Sequence, residues 1–352
     1  MGGACSTEGL TLQFDQVPCG GDPKSREGHV LAECSGGKLV VFGGTDEDRA
    51  VHVLGPDGAW SVAGEAPARV GAACASSGET VFVFGGVDPE QGCWLNELLM
   101  LDTAARTVAR VAAGADGPSP RDKAALVAAG GFLVLFGGFG PLADDPMRLG
   151  EDEGVEEEEE DNEEDEGMDP AKFGWCNDLF VFGAQQQSWR AVAASNPPPA
   201  RAAHAMTLSG GRLWVFGGKT AAARVADLWS IGLAEVLQGA PGLAWTLHEA
   251  PQGVAPSGRS FHALVAVPES PRLLLFGGRD NEDARLADVH VYDPQLHSWA
   301  QPSFCANVPA DFAGAGALRG GDLVLHGVEG AFVAASLAPV RTAKIALPEK
   351  HE

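Results

Sequence analysis

The chain has 352 residues, room for one large all-β domain or two ordinary ones; 45% are hydrophobic, and its 47 glycines and 23 prolines suit many strands joined by many turns. The formal net charge is −24. Thirteen acids lie in 151–166, but the remainder is acidic too, which disfavours nucleic-acid backbones and anionic membrane surfaces as general partners. Seven scattered cysteines without a C-x-x-C pair, no Asn-x-Ser/Thr acceptor and no apolar leader point to reduced thiols and a cytoplasmic or nuclear protein; no apolar run is long enough to span a membrane.

In chain order, "MGGACS" fits the pattern for N-myristoylation at Gly2, with Cys5 available to a second acyl chain, so membrane association is expected only if these are acylated. Otherwise residues 1–8 form a flexible tail. "GLTLQFDQV", 9–17, is the first expected strand. A repeat then governs the chain. "KLVVFGG", "TVFVFGG", "FLVLFGG", "RLWVFGG" and "RLLLFGG" end in double glycines whose second members are Gly44, Gly86, Gly138, Gly218 and Gly278, and "DLVLHG" is a worn sixth copy. Each unit opens on an Arg turn ("SREGHVLA", "PARVGAACA", "PRDKAALVA", "ARAAHAMT", "GRSFHALV"). It runs into an apolar strand ending in the glycines and continues through a strand such as "NELLMLD" or "ADVHVYD". Trp60, Trp189, Trp245 or Trp299 closes four of them. Short apolar runs bounded by Gly and Pro read as buried strands. The acidic insertion, about 143–170, interrupts the third unit and reads as a solvated, disordered loop. Residues 341–352 form a second flexible tail.

The double glycine, the Arg-x-x-His or Arg-x-x-small opening and the closing Trp together resemble the kelch repeat over nearly the whole chain. The resemblance implies an all-β, six-bladed kelch β-propeller, a single domain over 9–340, closed by the N-terminal strand pairing into the last blade. No nucleophile-elbow, zinc-protease or P-loop motif is present, no cofactor or metal site is expected, and the single Tyr292 excludes the two-tyrosine copper chemistry of some kelch proteins. The chain therefore reads as non-enzymatic.

In a propeller the loops after the double glycines gather at one end of the axis. There Lys123, Lys219 and Arg224 would supply cations, Ser260 a hydroxyl, and Phe139, Trp175 and Phe261 aromatic walls, a set suited to a carboxylate with a small apolar tail. From about Pro118 to Gly278 the sequence is similar to the kelch receptors that read protein C-termini (C-degrons) and deliver them to cullin–RING ubiquitin ligases. The likeness rests on "DK", "GGFG", "GW" with "ND", "ARAAHA", the cation and Arg after the fourth double glycine, and "GRSFHAL". It implies that Lys219, Arg224 and Ser260 grip a terminal carboxylate, with Lys123, Phe139, Trp175 and Phe261 as pocket walls. Lys219 stands where those receptors have Arg, and the helical adaptor box that follows their propeller has no counterpart in this sequence. The alternative is a scaffold binding protein partners through rim loops, membrane-tethered if acylated.

Overall fold

The computed structural model describes residues 11–16, 26–44, 48–141, 172–249, 255–302, 304–306, 315–319, 322–326 and 332–336; the expected acidic insertion at 143–170, the tails 1–8 and 341–352, and Gly2 and Cys5 lie outside the described residues. Six antiparallel sheets follow one another along the chain, with a small ribbon of Val87–Asp88 and Cys93–Trp94. Among the described residues the one α-helix is Leu233–Gln238, in the linker before Trp245, and no helix is long and apolar enough to cross a membrane.

The first sheet shows how the sequence makes a unit. His29–Cys34 pairs with Lys38–Gly43, that with Ala50–Leu54, and that with Trp60–Glu65, in simple up-and-down order. The "LVVF" run, Leu39 to Phe42, is wholly buried, alternate residues facing opposite sides. A strand flanked by sheets on both faces needs such an unbroken apolar run. The cores accordingly lie between sheets: one joins Val40 and Phe42 of the first to Val81 and Val83 of the second, another Phe136 of the third to Val215 of the fourth.

The opening strands of the six sheets neighbour one another in a closed cycle, Ala315–Arg319 of the sixth packing back on His29–Cys34 of the first. The sixth sheet is completed from the other end of the chain. Thr11–Gln16 pairs antiparallel with Phe332–Ser336 and parallel with Phe304–Ala306. The strand expected from "GLTLQFDQV" thus closes the last sheet.

The double glycines are where neighbouring sheets touch. A Cβ on Gly43, Gly85, Gly137 or Gly217 would fall 2.3–2.8 Å from the carbonyl oxygen of Arg69, Arg121, Arg201 or Arg259 in the next sheet. That same carbonyl accepts the N–H of the second glycine, Gly44, Gly86, Gly138 or Gly218, at 2.8–2.9 Å. Both glycines of each pair have positive φ.

The arginines that open the turns are buried. Arg26, Arg69, Arg121, Arg201 and Arg259 each donate to the carbonyl of the first glycine of their own sheet, at 2.9–3.2 Å. Each also pairs with an acid, Asp48, Glu97, Asp178, Asp227 or Asp288 in that order, at 2.5–3.2 Å. Against the upward push of burial, the hydrogen bonds of Arg201 hold Asp227 below the usual carboxylate range, and those of Arg259 and His290 do so for Asp288. The closing Trp packs on the preceding sheet: Trp189 on Phe84 at 5.2 Å between ring centroids, Trp245 on Phe136 at 5.0 Å, Trp299 on Phe216 at 5.3 Å.

Candidate functional site

Two residues after each turn arginine the chain enters the left-handed region: Gly28 (φ 67°), Gly71 (68°), Lys123 (51°), Ala203 (53°) and Phe261 (58°). These residues are linked head to tail. Gly71 N–H donates to Gly28 O at 2.8 Å, Lys123 to Gly71 at 2.7 Å, Ala203 to Lys123 at 2.8 Å and Phe261 to Ala203 at 3.0 Å. Successive sheets therefore present equivalent positions around one opening. Glycine takes this conformation freely, but Lys, Ala and especially Phe take it under strain, which the surrounding hydrogen bonds hold in place.

Two adjoining cavities lie here. The larger, about 320 Å³, is lined by all five left-handed residues together with Glu27 and Arg279 and by His29, His204 and His262. Burial, reinforced by the neighbouring Arg201 and Arg259 charges, pushes the His204 and His262 imidazoles down to about 3 and keeps them neutral. The smaller cavity, about 240 Å³, is lined by Lys123, Phe139, Trp175, Ala202, Ala203, Lys219, Arg224 and Phe261. Six of the seven residues expected from the sequence thus share one cavity. The seventh, Ser260, is fully buried behind it, and its hydroxyl accepts from Arg224 Nε at 2.8 Å.

The three cations differ in what already holds them. Lys219 is exposed, and its ammonium has no partner among the described residues, while its backbone bridges Ala202 and Arg224. The Lys123 ammonium sits on the carboxylate of Asp122, which is buried at 3% exposure. Burial pushes that carboxyl up and Lys123 pulls it down, so the pair depends on both members. All three nitrogens of Arg224 are engaged: Nε by Ser260, and the two terminal nitrogens by the Asp280 carbonyl and the Asp283 carboxylate, both at 2.6 Å.

The aromatic wall is larger than expected. Phe139 and Trp175 face each other across the third sheet's long hairpin, whose ladder runs on to Pro141 and Phe173, with ring centroids 4.9 Å apart. Trp94 and Phe173 extend the cluster, 4.9 Å from each other and 6.4 and 6.3 Å from Phe139. Sequence reasoning passed over Trp94, yet Trp94-Leu-Asn-Glu-Leu and Trp175-Cys-Asn-Asp-Leu are one motif in successive units. Arg279 was also missed. It follows the fifth double glycine as Lys219 follows the fourth, and Arg285 then stands where Arg224 does, each pair joined by the same bridge.

An all-β, propeller-like ring of sheets with converging loop side chains at one end defines a protein-interaction domain of the kelch-repeat type. The chain belongs to the family described as the KLHDC2/KLHL20/DRC7 Kelch-repeats domain, which matches residues 6–140 and 166–340. It is 27% identical over 300 residues to Kelch domain-containing protein 1 of Mus musculus, covering 79% of this chain and 69% of that protein. With Kelch domain-containing protein 2 of Bos taurus it shares 27% identity over 307 residues, with the same shares covered. A match to Acyl-CoA-binding domain-containing protein 4 of Arabidopsis thaliana, 28% identical over 269 residues, covers 71% of this chain and 34% of that protein. Among the described residues no three His, Cys, Asp or Glu side chains are grouped to hold a metal ion.

Proposed function

We propose that the six sheets are the blades of one propeller and that the cavity beside its axis captures the C-terminal carboxylate of a peptide, without catalysis. One observation carries this reading: Lys219, whose ammonium has no partner among the described residues, Arg224 and Lys123 border a single cavity of about 240 Å³ whose walls include Phe139, Trp175 and Phe261. Cations gathered at a small apolar hollow on a chain of net charge −24 favour an anion that brings little bulk with it. A terminal carboxylate preceded by glycine meets both demands, because a larger residue would meet the aromatic rings.

The test compares short peptides ending in glycine with their amidated forms. The free-carboxylate peptides should bind and the amidated ones should not. Lys219→Glu should abolish binding without unfolding the protein, since its side chain supports nothing else among the described residues. Equal binding of the two forms, or indifference to Lys219→Glu, would replace the pocket by the rim-loop scaffold. Delivery of the captured chain to a ubiquitin ligase is the further part of this proposal. It is checked by whether cullin–RING components co-purify with the protein and whether a glycine-ended reporter loses stability when it is present.

A further inference from the structure

Arg224 already holds a carboxylate. Asp283 comes from the fifth sheet's loop, and its Oδ1 accepts from Arg224 at 2.6 Å while its Oδ2 accepts from Arg279 at 3.1 Å. One side-chain carboxylate therefore bridges the guanidinium of the smaller cavity and a guanidinium of the larger. The two arginine charges hold it below the ordinary carboxylate value despite some desolvation. The loop that presents it is firmly built. Asp280 Oδ1 accepts from the N–H of Glu282 and Ala284, at 3.1 and 2.8 Å, and Asp283 N–H donates to Asp280 O at 3.1 Å. Asn281 binds the Arg224 backbone from both sides, accepting from its N–H at 2.8 Å and donating to its carbonyl at 3.1 Å. The Asp283 side chain itself is more than half exposed. The loop is thus docked through Asn281 and Asp280, by bonds that do not use this carboxylate.

We propose that Asp283 is an internal occupant of the anion site and sets which ligands the pocket accepts. A ligand carboxylate reaches the outer nitrogen of Arg224 only by displacing it. A neutral terminus has no charge with which to do so, so the occupant sharpens discrimination between free and blocked C-termini by opposing the wrong ligand. Displacement also frees Nη1 of Arg279, whose Nη2 still faces Glu27 at 3.7 Å, on the wall of the larger cavity, which meets the smaller one at Lys123, Ala203 and Phe261. The ligands that gain most are therefore peptides with a second carboxylate, on a side chain shortly before the terminus, for Arg279 to take up. This inference rests on the carboxylate-pocket reading.

The experiment titrates the full chain with a labelled peptide ending in Gly-Gly, its amidated form, and a version with Glu in place of Gln three residues before the end. Wild type is compared with Asp283→Asn and Asp283→Gly. Asn and Gly are the residues that best tolerate the left-handed φ of 63° at this position, so the turn is kept, and thermal melts confirm it. Asp283→Asn and Asp283→Gly should each bind the free-carboxylate peptide at least about threefold more tightly than wild type, a modest gain because the ion pair is largely exposed. In wild type the Glu peptide should bind more tightly than the Gln peptide, and Arg279→Gln should remove that difference. If wild type binds the free terminus and Asp283→Asn and Asp283→Gly bind it equally or more weakly, Asp283 supports Arg224 and does not compete, and the inference falls while the pocket stands. If none of the proteins distinguishes free from amidated peptide, the pocket reading and this inference fall together.

Discussion

Phe261 carries the plainest conflict between stability and use. It is a bulky residue at φ 58°, it is 40% exposed, and it lines both cavities. The left-handed conformation disfavours an L side chain by about 1–2 kcal/mol, part of which glycine loses again through its freer unfolded chain. Phe261→Gly should therefore raise stability in denaturant titrations by up to about 1 kcal/mol and weaken glycine-ended peptides at the same time. Unchanged binding would take Phe261 out of the pocket. Lys219 makes the opposite case. Its ammonium is a point charge where a planar fork would hold both carboxylate oxygens, so Lys219→Arg should tighten the free-carboxylate peptide by about fivefold in the same titration. That six of the expected residues would line one cavity was legible because their chemistry is unusual for their setting, namely cations and aromatics beside glycine turns. What already binds them was not. Nothing in the spacing shows that Arg224 has a carboxylate from a loop 59 residues away, or that Lys123 leans on a buried neighbour.

Among the elements, the double-glycine turn is the joint between sheets, and its glycines should differ sharply from those of the outer hairpins. Gly217→Ala would put a Cβ 2.7 Å from the main-chain Arg259 O and 2.8 Å from Cε1 of the buried His262 ring, which is hydrogen-bonded to Phe216 O at 3.1 Å. Gly210 has a similar φ of 57° but nothing within 4 Å of such a Cβ. Gly210→Ala should lower stability by about 1 kcal/mol, the cost of the conformation alone, and Gly217→Ala by about 3 kcal/mol or more. Equal losses would mean that the sheets are not in register at this joint. The joint was legible in outline, because a glycine pair at a fixed place after an apolar strand has few physical explanations. Its partner was not: the glycines make room for a carbonyl two strands and a turn further on, a contact no local pattern encodes. The six-residue helix Leu233–Gln238 went unread for a related reason. It is too short to show a period, and it forms where Val236 can bury against the interface of the third and fourth sheets.

Over the whole molecule, ring closure and buried histidines set the conditions for stability. Thr11–Gln16 is the one described strand of the sixth sheet that comes from the opposite end of the chain. Deleting residues 1–17 should bare the Phe332–Ser336 edge, lower the melting temperature and promote aggregation, as scanning calorimetry and light scattering would record. An unaltered melt would show that the ring holds without this strand. For His204 and His262 the folded value is about 3, well below the ordinary imidazole value of about 6.5. The unfolded chain takes up protons below about 6.5 while the folded chain resists until about 3, so stability is full above pH 6.5 and declines between those limits. The denaturation midpoint should be lower at pH 5 than at pH 7, and His204→Asn should flatten that dependence. Asp227 and Asp288, held low in the folded state, add their loss only at more acidic pH, from about 4 downward.

The chain of left-handed residues from Gly28 to Phe261 has a consequence for how such a protein can change. Each position is linked by main-chain bonds that do not depend on its side chain, so the five act as equivalent seats around one opening. Three are taken, by a cation, a methyl and an aromatic ring. The other two are vacant but unequal: a Cβ at Gly28 would collide with Val70 at 2.6 Å, whereas at Gly71 the nearest atoms stand off at 3.5 Å. Gly71→Asn should fold with only the modest cost of its left-handed φ of 68° and place a new polar group in the opening, and Gly28→Asn should lose clearly more stability. New recognition in this architecture can thus arise one seat at a time, with the scaffold untouched.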